Sequence, residues 1–300
     1  MKPQPFVPSV VLLALLGPGD GSAGHILSDE LRGRCYEVLT KALDDESKWV
    51  CVHAAEALVW LKRPQAALVA FWPKADTTEP QYRVVVWRVL AAAEPEAAQR
   101  SHYVERIRAA LLDPNGPDQT HAMEALAKLR EPAADDAERR RVREVADGEG
   151  PASPFAVWRL AQANDAAAVD RLMKLLRSNE PTTRARAAYV LGQLQPLPAA
   201  AASDALAAAL EKELPDSAAR VMIRAAQGER AVRALARDTD VAPSGRYFAA
   251  MRLAECGTAE DLPVLTRLLN DPDSDVCVGA AYALLCIDGR SSATTKVQAK

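Results

Sequence analysis

Two short stretches hold the residue types that could bind a metal or move a proton. HAAEAL spans 53–58 and HAMEAL spans 121–126. Each sets a histidine and a glutamate three residues apart, His53 with Glu56 and His121 with Glu124. On a helix that spacing puts both side chains on one face. Little else joins them. The chain has four histidines, and no HExxH, GxSxG, phosphate-cradling glycine loop or dinucleotide fingerprint occurs. Cys35, Cys51, Cys256, Cys277 and Cys286 form no CxxC pair, so zinc-ligand spacing is absent. They read as small buried hydrophobes, with a Cys35–Cys51 disulfide across the first hairpin left open. Asp44, Asp45 and Glu46 sit in a turn, where capping explains them. Arg139, Arg140, Arg141 and Arg143 are flanked by Asp135, Asp136, Glu138 and Glu144, and read as a solvated helix face. The residues therefore predict no catalytic group, no metal site and no cofactor.

The elements that must position these residues are helices. Of 300 residues, 49% are hydrophobic but only 5% are aromatic, and Ala and Leu dominate. Both are strong helix formers that pack closely between helices. Alternating runs of β-branched residues are missing. The formal net charge is −3, with no basic arm, which argues against a nucleic-acid partner.

The main signal is an internal repeat. A small or apolar residue, three others, then usually Leu recurs as Ala54–Leu58, Val86–Leu90, Ala122–Leu126, Ala156–Leu160, Ala187–Leu191, Val221–Ala225, Ala249–Leu253 and Ala280–Leu284. Successive starts are 32, 36, 34, 31, 34, 28 and 31 residues apart. A second apolar segment precedes each copy, for example YEVLTKAL at 36–43 and VDRLMKLL at 169–176. Polar turns such as SNEPTT and DPDSD lie between them. Their Pro, Asp and Ser residues end one helix and cap the next. Each unit is thus helix–turn–helix, and only stacking can bury its apolar face.

The last unit, LPVLTRLLNDPDSDVCVGAAYALLCI at 262–287, resembles the short bacterial HEAT repeat of the phycobilisome-lyase type. Residues 168–194 and 36–61 do so nearly as well, and the resemblance covers 31–288. It implies an all-α fold, an α-α superhelix: a right-handed, open, curved HEAT-like solenoid of about eight two-helix repeats, whose second helices line the concave face. It says little about function, because such repeats serve scaffolds, lyases and hydroxylases alike. HEAT-type deoxyhypusine hydroxylases hold iron through His-Glu pairs. This sequence departs from them, since its pairs are not adjacent and occur in two units only. With neighbouring helices ~9 Å apart, those units lie ~18 Å apart, too far to share one ion.

Helical geometry assigns the outward positions. With 100° per residue, the first, second and fifth positions of each pattern form the buried stripe. The residues one before, two after and six after its start point away from it. Those columns hold His53, Glu56 and Trp60; Arg88; His121, Glu124 and Lys128; Phe155 and Trp158; Arg186 and Tyr189; Phe248; and Tyr282. His53, Glu56, Trp60, Arg88, His121, Glu124, Phe155, Trp158, Arg186 and Tyr189 are the candidate binding residues. Large aromatics beside Arg and Glu are what interfaces use. Trp158, Phe155, Tyr189 and Arg186 are expected to form an exposed ridge. The function that follows is a non-catalytic, monomeric scaffold binding a protein or polysaccharide. A lyase-like or metal-dependent HEAT enzyme and a nucleic-acid-binding HEAT protein are the alternatives.

The ends differ from the repeats. Lys2, the apolar run Phe6–Leu16 and the small residues after it read as a secretory signal peptide over 1–24. That run is too short for a membrane span. Periplasmic or secreted placement follows, with the cytoplasm as alternative. Residues 25–288 form the solenoid, and 289–300 read as a disordered tail.

Overall fold

A computed structural model describes residues 25–113, 115–194 and 229–298, with the side chains of Glu229, Ala231 and 293–298 excepted. The expected signal segment and the sixth pattern, Val221–Ala225, lie outside these residues. The described chain is helical throughout: α1 (Asp29–Lys41), α2 (Lys48–Trp60), α3 (Pro64–Phe71), α4 (Tyr82–Ala93), α5 (Ala97–Leu112), α6 (Gln119–Lys128), α7 (Asp136–Asp147), α8 (Ser153–Gln162), α9 (Ala168–Leu175), α10 (Pro181–Gln193), α11 (Glu229–Arg237), α12 (Pro243–Cys256), α13 (Leu262–Leu268) and α14 (Ser274–Gln298). Each even-numbered helix carries one copy of the repeated pattern. The chain is an all-α protein, an α-α superhelix of two-helix repeats.

The turns work as their composition requires. Pro64, Pro181 and Pro243 open α3, α10 and α12, where a missing N–H costs nothing. Asp135 caps α7 through the Glu138 N–H at 2.8 Å, and Glu180 caps α10 through Thr182 and Thr183. Three inner helices end alike. Lys62, Arg130 and Asn164 take left-handed φ values of 61°, 55° and 63° after α2, α6 and α8. Arg63, Glu131 and Asp165 then donate back to Leu58, Leu126 and Leu160 at 2.8, 2.9 and 3.0 Å. This bond pattern normally favours glycine at the left-handed position.

The predicted stripe is the core. Ala54, Val86, Ala122, Ala156, Ala187, Ala249 and Ala280 are fully buried, as are Leu90, Leu126, Leu191, Leu253 and Leu284. Even-numbered helices pack side by side from α2 through α4, α6 and α8 to α10. The circuit does not stay open as expected. α14 packs against both α1 and α2, so the last repeat covers the first. Buried Asp288 secures the seam. Its Oδ1 accepts from the backbone N–H groups of Ile26 and Leu27 at 2.9 and 3.0 Å. Its Oδ2 meets Arg32 Nε at 3.0 Å and His25 Nδ1 at 2.8 Å. An open solenoid leaves an apolar face at each end unless capping repeats cover it; here the two ends cover each other.

One further expectation changes, and the reading of the cysteines holds. The tail is not irregular from 289, because α14 continues to Gln298; the stretch contains no proline to stop it. Cys35 and Cys51 are free, buried thiols. Burial pushes the Cys35 thiol up to about 12.

Candidate functional site

Closing the ring turns the concave face into a cavity of about 1310 Å³. The even-numbered helices wall it. Of the ten candidate residues, all but His121 line it. His121 instead stacks on Trp49, ring centroids 5.9 Å apart; its Nδ1 has no hydrogen-bond partner, and burial holds its pKa low.

On one side of the cavity four charges meet. Arg88 Nη2 of α4 lies 2.7 Å from Glu56 Oε1 of α2, and Arg88 Nη1 lies 4.0 Å from Glu124 Oε1 of α6. Lys128 Nζ is 3.6 Å from Glu56 Oε2 and 3.2 Å from Glu124 Oε1. The two carboxylates therefore approach within 3.6 plus 3.2, or 6.8 Å, of each other. Units expected to lie ~18 Å apart still bring these carboxylates close, because long inward side chains converge on the concave side. His53 and His121 do not join them. His53 Nδ1 bonds Asp275 Oδ1 at 2.8 Å, and its ring stacks on Tyr247 at 5.0 Å. Among the described residues no group of three or more His, Cys, Asp or Glu could hold a metal ion.

The electrostatics are self-compensating. Glu56 is 7% exposed and Arg88 4%. Burial alone would raise the Glu56 pKa, but Arg88 and Lys128 outweigh it and hold it down at about 2. Glu124 is lowered too, against its burial, by Lys128 and Arg88. Burial opposes the charge on Lys128, yet the carboxylates leave its pKa raised. All four groups are thus ionised together near neutrality, and their charges cancel.

A file of aromatic rings forms another part of the wall. Trp158 of α8 meets Tyr189 of α10 edge-on at 6.0 Å, and Phe155 meets Tyr189 at 6.4 Å. Tyr189 meets Phe248 of α12 at 6.3 Å, and Phe248 meets Tyr247 at 5.4 Å. Through His53 this file of rings reaches α2 across the seam. Trp60 contacts Tyr282 of α14 at 5.5 Å and stays 45% exposed. The expected exposed ridge is corrected here: Trp158 is 7% exposed and Phe155 only 4%. Curvature presses their helix against its neighbours and wedges both rings between repeats. Arg186 is likewise engaged, donating to the Pro151 carbonyl at 2.9 Å and lying 5.5 Å from the Phe155 ring.

Lys128, Tyr247, Phe248 and Tyr282 join the site without having been among the candidates. Lys128, Phe248 and Tyr282 occupy the outward columns already read from the sequence, so the signal was present. Tyr247 sits just outside its column, and only the docking of α12 against α14, with its ring stacked on His53, brings it in.

The fold and this wall define a helical-repeat protein with a solvent-open, charge-balanced cavity rich in aromatic rings. No family model and no curated protein matches the chain. Among solved structures, it is similar to human deoxyhypusine hydroxylase in complex with glycerol, with 19% identity over 87% of this chain and 88% of that one, at a TM-score of 0.35. Two engineered proteins are similar at 19% and 20% identity, covering 87% of this chain and 82% and 98% of theirs, with TM-scores of 0.31 and 0.23. Superpositions this loose transfer neither site nor activity.

Proposed function

We propose that the ring is a non-catalytic binding module that takes an extended segment of a partner protein into its cavity. One observation carries this reading: the four inner charges are paired with one another across three helices. A general base works best with a pKa near the operating pH, whereas Glu56 is held at about 2. Such a network presents fixed charges of both signs to a ligand, which suits a peptide bearing its own acids and amides. The partly exposed aromatics Trp60, Tyr189 and Tyr282 supply contact area beside it. A cavity of about 1310 Å³ admits a peptide segment but not a folded domain. A polysaccharide is the second reading, favoured by the exposed face of Trp60.

The test is to screen the intact protein against a displayed peptide library and an oligosaccharide array, then repeat with Trp60→Ala and Tyr282→Ala. Selective peptides that both variants lose support the proposal. Sugar binding lost in the same variants replaces the protein partner by a polysaccharide. Binding by neither class, or binding indifferent to both variants, ends the reading. The N-terminal sequence supports action outside the cytoplasm. Among the described residues no helix is long and apolar enough to cross a membrane.

A further inference from the structure

The strap that closes the ring starts where the expected leader ends. Residues 1–24 read as a secretory signal peptide, which makes His25 the first residue after the processing junction. His25, Ile26 and Leu27 are also the residues that the last repeat holds. Each reaches Asp288 of α14, which is 2% exposed. His25 does so by its ring Nδ1 at 2.8 Å, and Ile26 and Leu27 by their backbone N–H groups at 2.9 and 3.0 Å. Processing junction and ring seam therefore fall on the same residue.

The charges at this point are unbalanced. Asp288 and Asp29 face one guanidinium, that of Arg32, whose Nε meets Asp288 at 3.0 Å and whose Nη1 meets Asp29 at 2.6 Å. Its Nη2 is spent on the Leu27 carbonyl at 3.0 Å. The neighbouring arginines are engaged elsewhere: Arg34 bonds Asn270, and Arg290 donates to the Ala254 and Gly257 carbonyls. Covalent geometry places a further nitrogen nearby. The Ile26 nitrogen is 2.9 Å from Asp288 Oδ1, and the His25 nitrogen is the next one back along the chain, so it lies within about 7 Å of that oxygen. In the unprocessed chain it is a neutral amide.

We propose that removal of the leader completes the seam: the amino terminus freed at His25 acts on Asp288 by charge and locks the ring closed. An endopeptidase adds water across the 24–25 amide. The hydroxyl goes to the Gly24 carbonyl carbon, and that carboxyl then loses its proton to solvent. The His25 nitrogen takes one proton from the water and a second from solvent, and is an ammonium near neutrality. Both Asp288 oxygens already accept two bonds each, so the ammonium adds attraction without replacing a donor. At this range, partly shielded from water, the attraction is worth about a tenfold shift in the closing of the strap. The lock rests on processing at 24–25 and is independent of what the cavity binds.

Three forms of the protein test it: the chain with its leader, the chain released at His25, and the released chain with its α-amine selectively acetylated. All three keep every described residue. Hydrogen exchange at the Ile26 and Leu27 amides, which Asp288 accepts, reads the strap directly. The free amine should slow both about tenfold against the other two forms and raise the melting temperature by about 2 °C or more. In Asp288→Asn the difference between free and acetylated termini should vanish, which separates a charge effect at the seam from a general effect at the chain end. Equal exchange in the free and acetylated chains, or a difference that survives Asp288→Asn, would overturn the proposal. N-terminal sequencing of the chain recovered from an exporting host tests the processing separately. A start at His25 supports it, and a start anywhere else removes the processing on which the lock depends.

Discussion

Replacing Arg88 by Gln leaves Glu56 buried with Lys128, 3.6 Å away, as its remaining cation. The size of the loss can be reached in two ways. Breaking a buried ion pair by removing one partner costs about 3–5 kcal/mol. Independently, Glu56 falls from an ordinary 4.5 to about 2; at about 1.4 kcal/mol per tenfold, the charge is favoured by about 3 kcal/mol. Lys128 stays in place, so the lower end applies, and Arg88→Gln should destabilise by about 3 kcal/mol. Because the folded pKa lies below the unfolded one, this contribution is fully present above about pH 4.5 and fades as pH falls toward about 2. Urea unfolding of wild type, Glu56→Gln, Arg88→Gln and the double variant at neutral pH forms the assay. The double variant should lose much less than the sum of the singles, since two neutral amides leave no orphaned charge. Additive losses, or a loss under about 1 kcal/mol in Arg88→Gln, would refute a paired, buried network.

Other expectations follow from the same structure. Trp158→Ala should cost about 3–5 kcal/mol by opening a cavity between α8 and α10; an unchanged melting temperature would return Trp158 to an open groove. Asp288→Asn removes the charge that holds His25, Arg32 and two backbone N–H groups. It should lower stability by about 2 kcal/mol and enlarge the radius of gyration in solution scattering, whereas an unaltered particle would show that apolar packing alone closes the ring. Lys62→Gly should stabilise by about 1 kcal/mol, because Lys62 is exposed in the left-handed region that glycine enters freely; a destabilised variant in chemical unfolding would contradict the capping geometry.

The amino-acid sequence determines a large part of this molecule because helical periodicity is local. The spacing of Ala54, Ala122 and Ala280 alone marks the buried stripe. The same 100° arithmetic places Glu56, Arg88 and Glu124 on one surface before any coordinate is known. Pro, Asp and Glu in the turns fix where helices begin. What the sequence does not carry is the accumulated angle between repeats. Each unit adds a small rotation set by side-chain packing, and only their sum decides whether the chain stays an arc or closes. Closure is what brings Asp288 to Ile26 and His53 to Asp275 and Tyr247, while the curvature of the stack brings Glu56 within reach of Lys128. It also buries Trp158 and Phe155, which a single-helix projection leaves facing outward, because a wheel shows a helix's faces but not the neighbours that press on them.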